Sequence, residues 1–129
     1  MTLVDTSVWV LAFQRRAPLD LDSVVPIEDV ATCLPVIQEI LQGFRDPRAF
    51  RIARDSLLNF PIVESPLRLE CVDVAVELYR RARAVGLSVR SSVDCLIAAC
   101  AIRNDLEVLH RDRDYPLLAR VSGLRQRAV

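Results

Sequence analysis

The feature that most limits what this chain can fold into is a repeated change of period. Short stretches of strand length alternate with longer segments whose apolar residues recur at helical spacing. Leu3-Val4, Asp29–Cys33, Phe60–Val63 and Leu106–His110 are the short stretches, and Leu124–Val129 is a candidate edge strand. Helices are predicted between them. Thr6-Ser7 offer caps for Val8–Phe13, Pro35 opens a helix running to about Gly43, and Asp46-Pro47 open another with Phe50, Ile52, Ala53, Leu57 and Leu58 as apolar positions. Pro66 starts a long helix through Val85, closed by Gly86, in which Leu69, Val72, Val76 and Tyr79 keep helical spacing. Ser91-Ser92 cap a helix from Val93 to Arg103 that is apolar nearly all round and so buried on most sides. Arg15–Pro26 reads as a connection with a helical turn, and Pro116–Val121 as a short helix. Strands separated by helices imply an α/β fold with a parallel sheet covered on both faces. A length of 129 residues suits a single domain, 1–129. In such sheets the ligand crevice lies beyond the carboxyl ends of the strands.

Composition narrows the chemistry. The 17 basic residues are all arginine and balance 17 acidic ones, so a globally basic nucleic-acid binder is not indicated. Without lysine there is no P-loop, no Schiff-base catalysis and no protein-kinase site. Cys33, Cys71, Cys95 and Cys100 lack the close spacing of a zinc knuckle or redox pair and have apolar neighbours, which predicts buried free thiols. Charge-free runs are too short to span a membrane, and Asp5 falls where a signal peptide has its basic and apolar regions. A soluble cytoplasmic protein is expected.

Five carboxylates stand out. Asp5 ends the first strand, and Asp112 and Asp114 follow the strand that ends at His110. Asp94 leads the most apolar helix, where it fits a capping box with Ser91 or else needs a partner. Glu39 lies off the apolar face of its helix, formed by Val36, Ile37, Ile40, Leu41 and Phe44. Singly, each has an ordinary explanation as a cap or a solvated residue. Together, Asp5 and Asp112 fall at one sheet edge that the Asp94 helix can reach. Clustered carboxylates repel. A hard divalent cation such as Mg²⁺ or Mn²⁺ relieves the repulsion and acts on phosphoryl oxygens.

The motifs around these carboxylates resemble those of PIN domains, in particular the VapC-type toxins of bacterial type II toxin–antitoxin pairs. Leu3-Val4-Asp5-Thr6-Ser7-Val8-Trp9 resembles the family's opening strand, and Gln38-Glu39-Ile40-Leu41-Gln42-Gly43 its second acidic motif. Ser92–Ala99 resembles the third, and Leu109–Tyr115 the fourth. The resemblance covers essentially the whole chain. It implies a PIN-like three-layer α/β/α sandwich and a Mg²⁺- or Mn²⁺-dependent endoribonuclease. Asp5, Glu39, Asp94 and Asp112 would form its catalytic acidic quartet. Asp5, Asp94 and Asp112 would hold the metal, and Asp114 would join them through water. Thr6 or Ser7 would hydrogen-bond in the site. The implied chemistry is in-line attack of metal-activated water on an RNA phosphodiester, leaving 5′-phosphate and 3′-hydroxyl ends. The implied partners are RNA, a cognate VapB-type antitoxin and a second copy of the chain. The antitoxin would seat an apolar helix on the first helices and insert a basic side chain among the carboxylates.

Two positions depart from the family pattern. His110 replaces the usual threonine or serine and reads either as a tolerated variant or as a proton shuttle. Tyr115 replaces the usual phenylalanine and keeps its aromatic body. Arg45, Arg48, Arg51 and Arg54 recur every three residues, either as a solvated face or as a stripe for RNA phosphates. Arg48 and Arg51 of that set, together with Arg15, are substrate-contact candidates, and Arg16 also flanks the site. Arg80, Arg81 and Arg83 read as a solvated helix end. Trp9, Val10 and Phe13 read as core or as part of the antitoxin groove. The competing function is a catalytically weak PIN-like binding module, which would have no reason to keep four converging carboxylates. A receiver or phosphatase is disfavoured by the missing lysine.

Overall fold

A computed structural model describes residues 1–129. Five strands form one sheet in the order β3-β2-β1-β4-β5: β1 (Thr2–Val4), β2 (Val30–Cys33), β3 (Ile62–Val63), β4 (Glu107–His110) and β5 (Arg125–Ala128). Every pairing is parallel, with Leu3 opposite Ala31 on one side and Val108 on the other. Six helices flank the sheet: α1 (Thr6–Phe13), α2 (Leu34–Gln42), α3 (Pro47–Leu57), α4 (Leu69–Ala84), α5 (Ser92–Arg103) and α6 (Asp114–Ala119). Single 3₁₀ turns at Leu21–Ser23 and Ile27–Asp29 punctuate the connection before β2. No helix is long and apolar enough to cross a membrane.

Because β1 is central and fully buried, Leu3 and Val4 are apolar on both faces. The chain first builds outward to β2 and β3, then crosses to β4 and β5. The topological switch point therefore lies beside β1, with Asp5 just past its carboxyl end and Asp112 just past that of β4. α5 fills the centre of the molecule: Cys95, Ile97, Ala98, Ala99, Cys100 and Ala101 are all buried in the core. All four cysteines are free and buried, and burial raises the Cys71 thiol to about 12 and Cys95 to about 11.

Several expectations are corrected. α1 begins at Thr6 because Asp5 itself is the N-cap, its side chain accepting from the Ser7 N–H. α4 begins at Leu69 rather than Pro66, since Arg68 is still extended. α6 begins at Asp114, and Pro116 sits within its first turn, where its missing N–H costs nothing. Trp9 is buried, but Val10 and Phe13 are at the surface. The largest departure is the face of α4. Cys71, Ala75, Leu78 and Ala82 turn inward, whereas Leu69, Val72, Val76 and Tyr79 are exposed. Both sets have helical spacing, and the inward set is small enough to let α4 lie close on α5.

Candidate active site

Three local structures bring carboxylates to the switch point. At the end of β1, Asp5 is 2% exposed. One of its oxygens accepts from the Ser7 N–H and hydroxyl, and the other from the Tyr115 hydroxyl. At the start of α5, the Ser91 hydroxyl accepts from the Asp94 N–H at 3.4 Å, which is half of a capping box. The other half is made by a residue distant in sequence. Asp114 accepts from the Arg90 and Ser91 N–H groups, both at 3.0 Å. This leaves the Asp94 carboxylate free of capping and turned into the site.

The third structure is the turn after β4. Asp112 accepts from the Asp114 N–H at 2.9 Å, and its own N–H donates to His110 Nδ1 at 3.1 Å. Nδ1 is therefore the unprotonated nitrogen, and Nε2–H donates to Gln126 Oε1 on β5 at 2.6 Å. His110 is 1% exposed with both nitrogens engaged. That overturns the proton-shuttle reading: the ring braces the turn that carries Asp112.

Carboxylate oxygens of Asp94, Asp112 and Asp114 lie within 4.8 Å of one another. Asp94 Oδ2 and Asp114 Oδ1 are buried without a hydrogen-bond partner. The only nearby cation on Asp114 is Arg113, with its Nε 4.0 Å away and its side chain largely exposed. Burial, then the charges of Asp112, Asp5 and Asp114, pushes the Asp94 carboxyl up to about 8. Tyr115 is fully buried, and its hydroxyl also reaches to 3.5 Å from Asp94 Oδ1. Burial and the adjacent carboxylates hold its ionisation well above the ordinary phenol range, so it acts as a donor. A cluster of hard oxygen donors with two orphaned buried atoms fits a divalent cation of the Mg²⁺ or Mn²⁺ type.

The remaining candidates divide. Glu39, half-exposed on α2, accepts from the Thr6 hydroxyl at 2.8 Å and stands outside the three-carboxylate group. Ser7 links the two strand ends, holding Asp5 and accepting from the Arg111 N–H at 2.9 Å. Arg15, Arg48 and Arg51 are exposed and make no hydrogen bond or ion pair with the carboxylates. Three functional groups escaped sequence reasoning: the Tyr115 hydroxyl, the His110–Gln126 brace and the backbone grip on Asp114. Only the first left a signal, a phenol one residue after a site aspartate.

Beside Glu39 a small cavity of about 240 Å³ opens between α1 and α2, lined by Val10, Phe13, Ile40 and Phe44. The surface positions of Val10 and Phe13 thus share this cavity with Glu39.

Comparison with known proteins bears on the family and the fold. A PIN domain family model matches residues 2–124. The chain is 34% identical over 131 aligned residues to the VapC ribonuclease Mb1587 of Mycobacterium bovis and, equally, to ribonuclease VapC11 of Mycobacterium tuberculosis, covering 96% of each chain. Among solved structures, VapBC2 from Rickettsia felis, bound to a DNA fragment from its promoter, superposes with a TM-score of 0.78 at 18% identity, covering 99% of this chain and 98% of that one. With a family model spanning nearly its whole length and relatives aligned end to end, this chain belongs to the PIN-domain family.

Proposed function

We propose that this protein is the toxin of a type II toxin–antitoxin pair, a divalent-metal-dependent endoribonuclease held in check by a VapB-type antitoxin. The observation that carries the reading is the group of Asp94, Asp112 and Asp114, the first and last buried and Asp112 partly so, with two carboxylate oxygens unpartnered. Family membership and the VapC ribonuclease relatives support the same conclusion.

Asp94, Asp112 and Asp114 would hold the cation, with Asp5 completing the acidic wall. When bound, Mg²⁺ or Mn²⁺ supplies positive charge against a phosphodiester and lowers the pKa of water beside it. The chain's own residues do the rest. Ser7 and Tyr115 fix the Asp5 carboxylate from both sides, so it needs no reorganisation when substrate arrives. Backbone N–H groups of Arg90 and Ser91 neutralise one side of Asp114 and aim its other oxygen inward. Glu39, hydrogen-bonded by Thr6, would accept a proton beside the site. Arg90, Arg111 and Arg113 are exposed around the carboxylates and suit bidentate contacts to RNA phosphates, which fix position without reading sequence. Arg15, Arg48 and Arg51 would extend that contact along the strand. The cavity at Val10, Phe13, Ile40 and Phe44 would seat the antitoxin's apolar segment next to Glu39.

The test is cleavage of total RNA by purified protein with Mn²⁺ or Mg²⁺ against chelator, alongside Asp5→Asn and Asp94→Asn. Metal-dependent cutting that falls at least about a hundredfold in both folded variants is expected, on the scale of losing a catalytic charge. Cutting that persists in chelator, or survives both substitutions, contradicts the reading.

A further inference from the structure

The turn that carries Asp112 is held by two successive hooks from side chain to backbone, each spanning two residues. His110 Nδ1 accepts from the Asp112 N–H at 3.1 Å, and Asp112 Oδ1 accepts from the Asp114 N–H at 2.9 Å. Such hooks are ordinarily made by a hydroxyl, amide or carboxylate oxygen, which accepts without further conditions. An imidazole nitrogen accepts only when it carries no proton. The hook at His110 therefore depends on whatever keeps the ring's proton on the other nitrogen.

That group lies on β5. Gln126 stands opposite Val108 in the β4–β5 register, one diagonal step from His110, so both side chains are on one face of the sheet and within reach of each other. Gln126 Oε1 lies 2.6 Å from His110 Nε2. The sense of the chain is fixed from its far end, because a backbone N–H can only donate. The Asp112 N–H donates to Nδ1, Nε2–H donates in turn, and the glutamine presents its oxygen. A proton on Nδ1 would set two donors face to face beside a ring that is 1% exposed. The same ring packs on Tyr115, with centroids 4.9 Å apart, and the Tyr115 hydroxyl donates to Asp5. Its orientation thus bears on two carboxylates at once.

We propose that Gln126 is a positioning residue of the acidic site. By holding His110 in its Nε2–H tautomer, it keeps Nδ1 available to the Asp112 N–H and so sets the Asp112 carboxylate beside Asp94 and Asp114 for a divalent cation. Gln126 makes no hydrogen bond to a carboxylate and acts only through the ring. The proposal rests on the cation-binding reading of those three carboxylates and extends the site to the edge strand of the sheet.

The chain has a single histidine, so its imidazole signals need no assignment. Nitrogen-15 NMR of the metal-free protein at about pH 8, above the ordinary histidine range, is expected to show one tautomer, protonated at Nε2. Gln126→Leu keeps most of the bulk and removes the acceptor at a half-buried position. It is expected to fold with unchanged circular dichroism and to show both tautomers. Its affinity for Mn²⁺, followed by electron paramagnetic resonance, is expected to fall about tenfold. His110→Thr separates positioning from packing, since a threonine hydroxyl accepts from an N–H two residues on without help from β5. In that background Gln126→Leu is expected to leave Mn²⁺ affinity unchanged. A wild type protonated at Nδ1 overturns the proposal, as does a Gln126→Leu variant that binds Mn²⁺ as tightly as the wild type. So does an equal loss from Gln126→Leu with and without His110. A wild type that binds no Mn²⁺ overturns the cation-binding reading itself, and the proposal with it.

Discussion

At the scale of residues, the site depends on groups that hold carboxylates in place as much as on the carboxylates. Tyr115→Phe removes one buried donor to Asp5 without changing the ring. Unfolding in urea with chelator present is expected to show a loss of about 1–3 kcal/mol, the cost of an unsatisfied charged acceptor. An unchanged midpoint would mean that the phenol contributes nothing. His110→Ala should cost about 2–4 kcal/mol, since it opens a cavity and frees both the Asp112 N–H and Gln126. Threonine at that position is expected to recover part of the loss, by offering the Asp112 N–H a smaller acceptor. Asp5, Asp94, Asp112 and Asp114 stood out in the sequence because each lies just past a strand or near the start of a helix, whereas Glu39, in the middle of α2, was singled out only by the family resemblance. The role of His110 was not, because its partners are a backbone N–H two residues on and Gln126 on the neighbouring strand. Nothing in local sequence distinguishes such a brace from a shuttle.

At the scale of elements, α5 carries a tension that pH reveals. Asp94 rises from its ordinary 3.8 to about 8 in the folded protein. The folded chain thus prefers it protonated, while the unfolded chain releases the proton near 3.8. The associated stability is complete below the unfolded value and is lost as pH climbs toward about 8. Asp94→Asn should therefore melt with the wild type near pH 4 and increasingly above it up to pH 8 when metal is chelated. A gap that is constant across that range would refute the assignment of the shift to Asp94. The helices themselves were readable from their periodicity and caps: Asp46 caps α3 and Gly43 stops α2 as the residues imply. The buried face of α4 was not readable. It offers two sets of residues at helical spacing, and packing on α5 selects the smaller one.

At the scale of the whole molecule, the parallel sheet determines where the chemistry lies. Placing β1 at the centre puts the ends of β1 and β4 side by side, so residues 5 and 112 converge despite their separation in sequence. That much follows from alternating strand and helix signals. The relation between Asp114 and the Arg90–Ser91 turn does not, because it is a backbone contact across the fold. On the function proposed here, Asp94, Asp112 and Asp114, gathered at this edge, hold a divalent cation. The most direct measurement is a titration of the purified protein with Mn²⁺, following free ion by electron paramagnetic resonance at pH 7. Saturable binding is expected for the wild type, weakened at least about tenfold in Asp94→Asn and in Asp114→Asn, as for loss of one charged ligand. Binding that is absent in the wild type, or equally strong in both variants, would contradict the account.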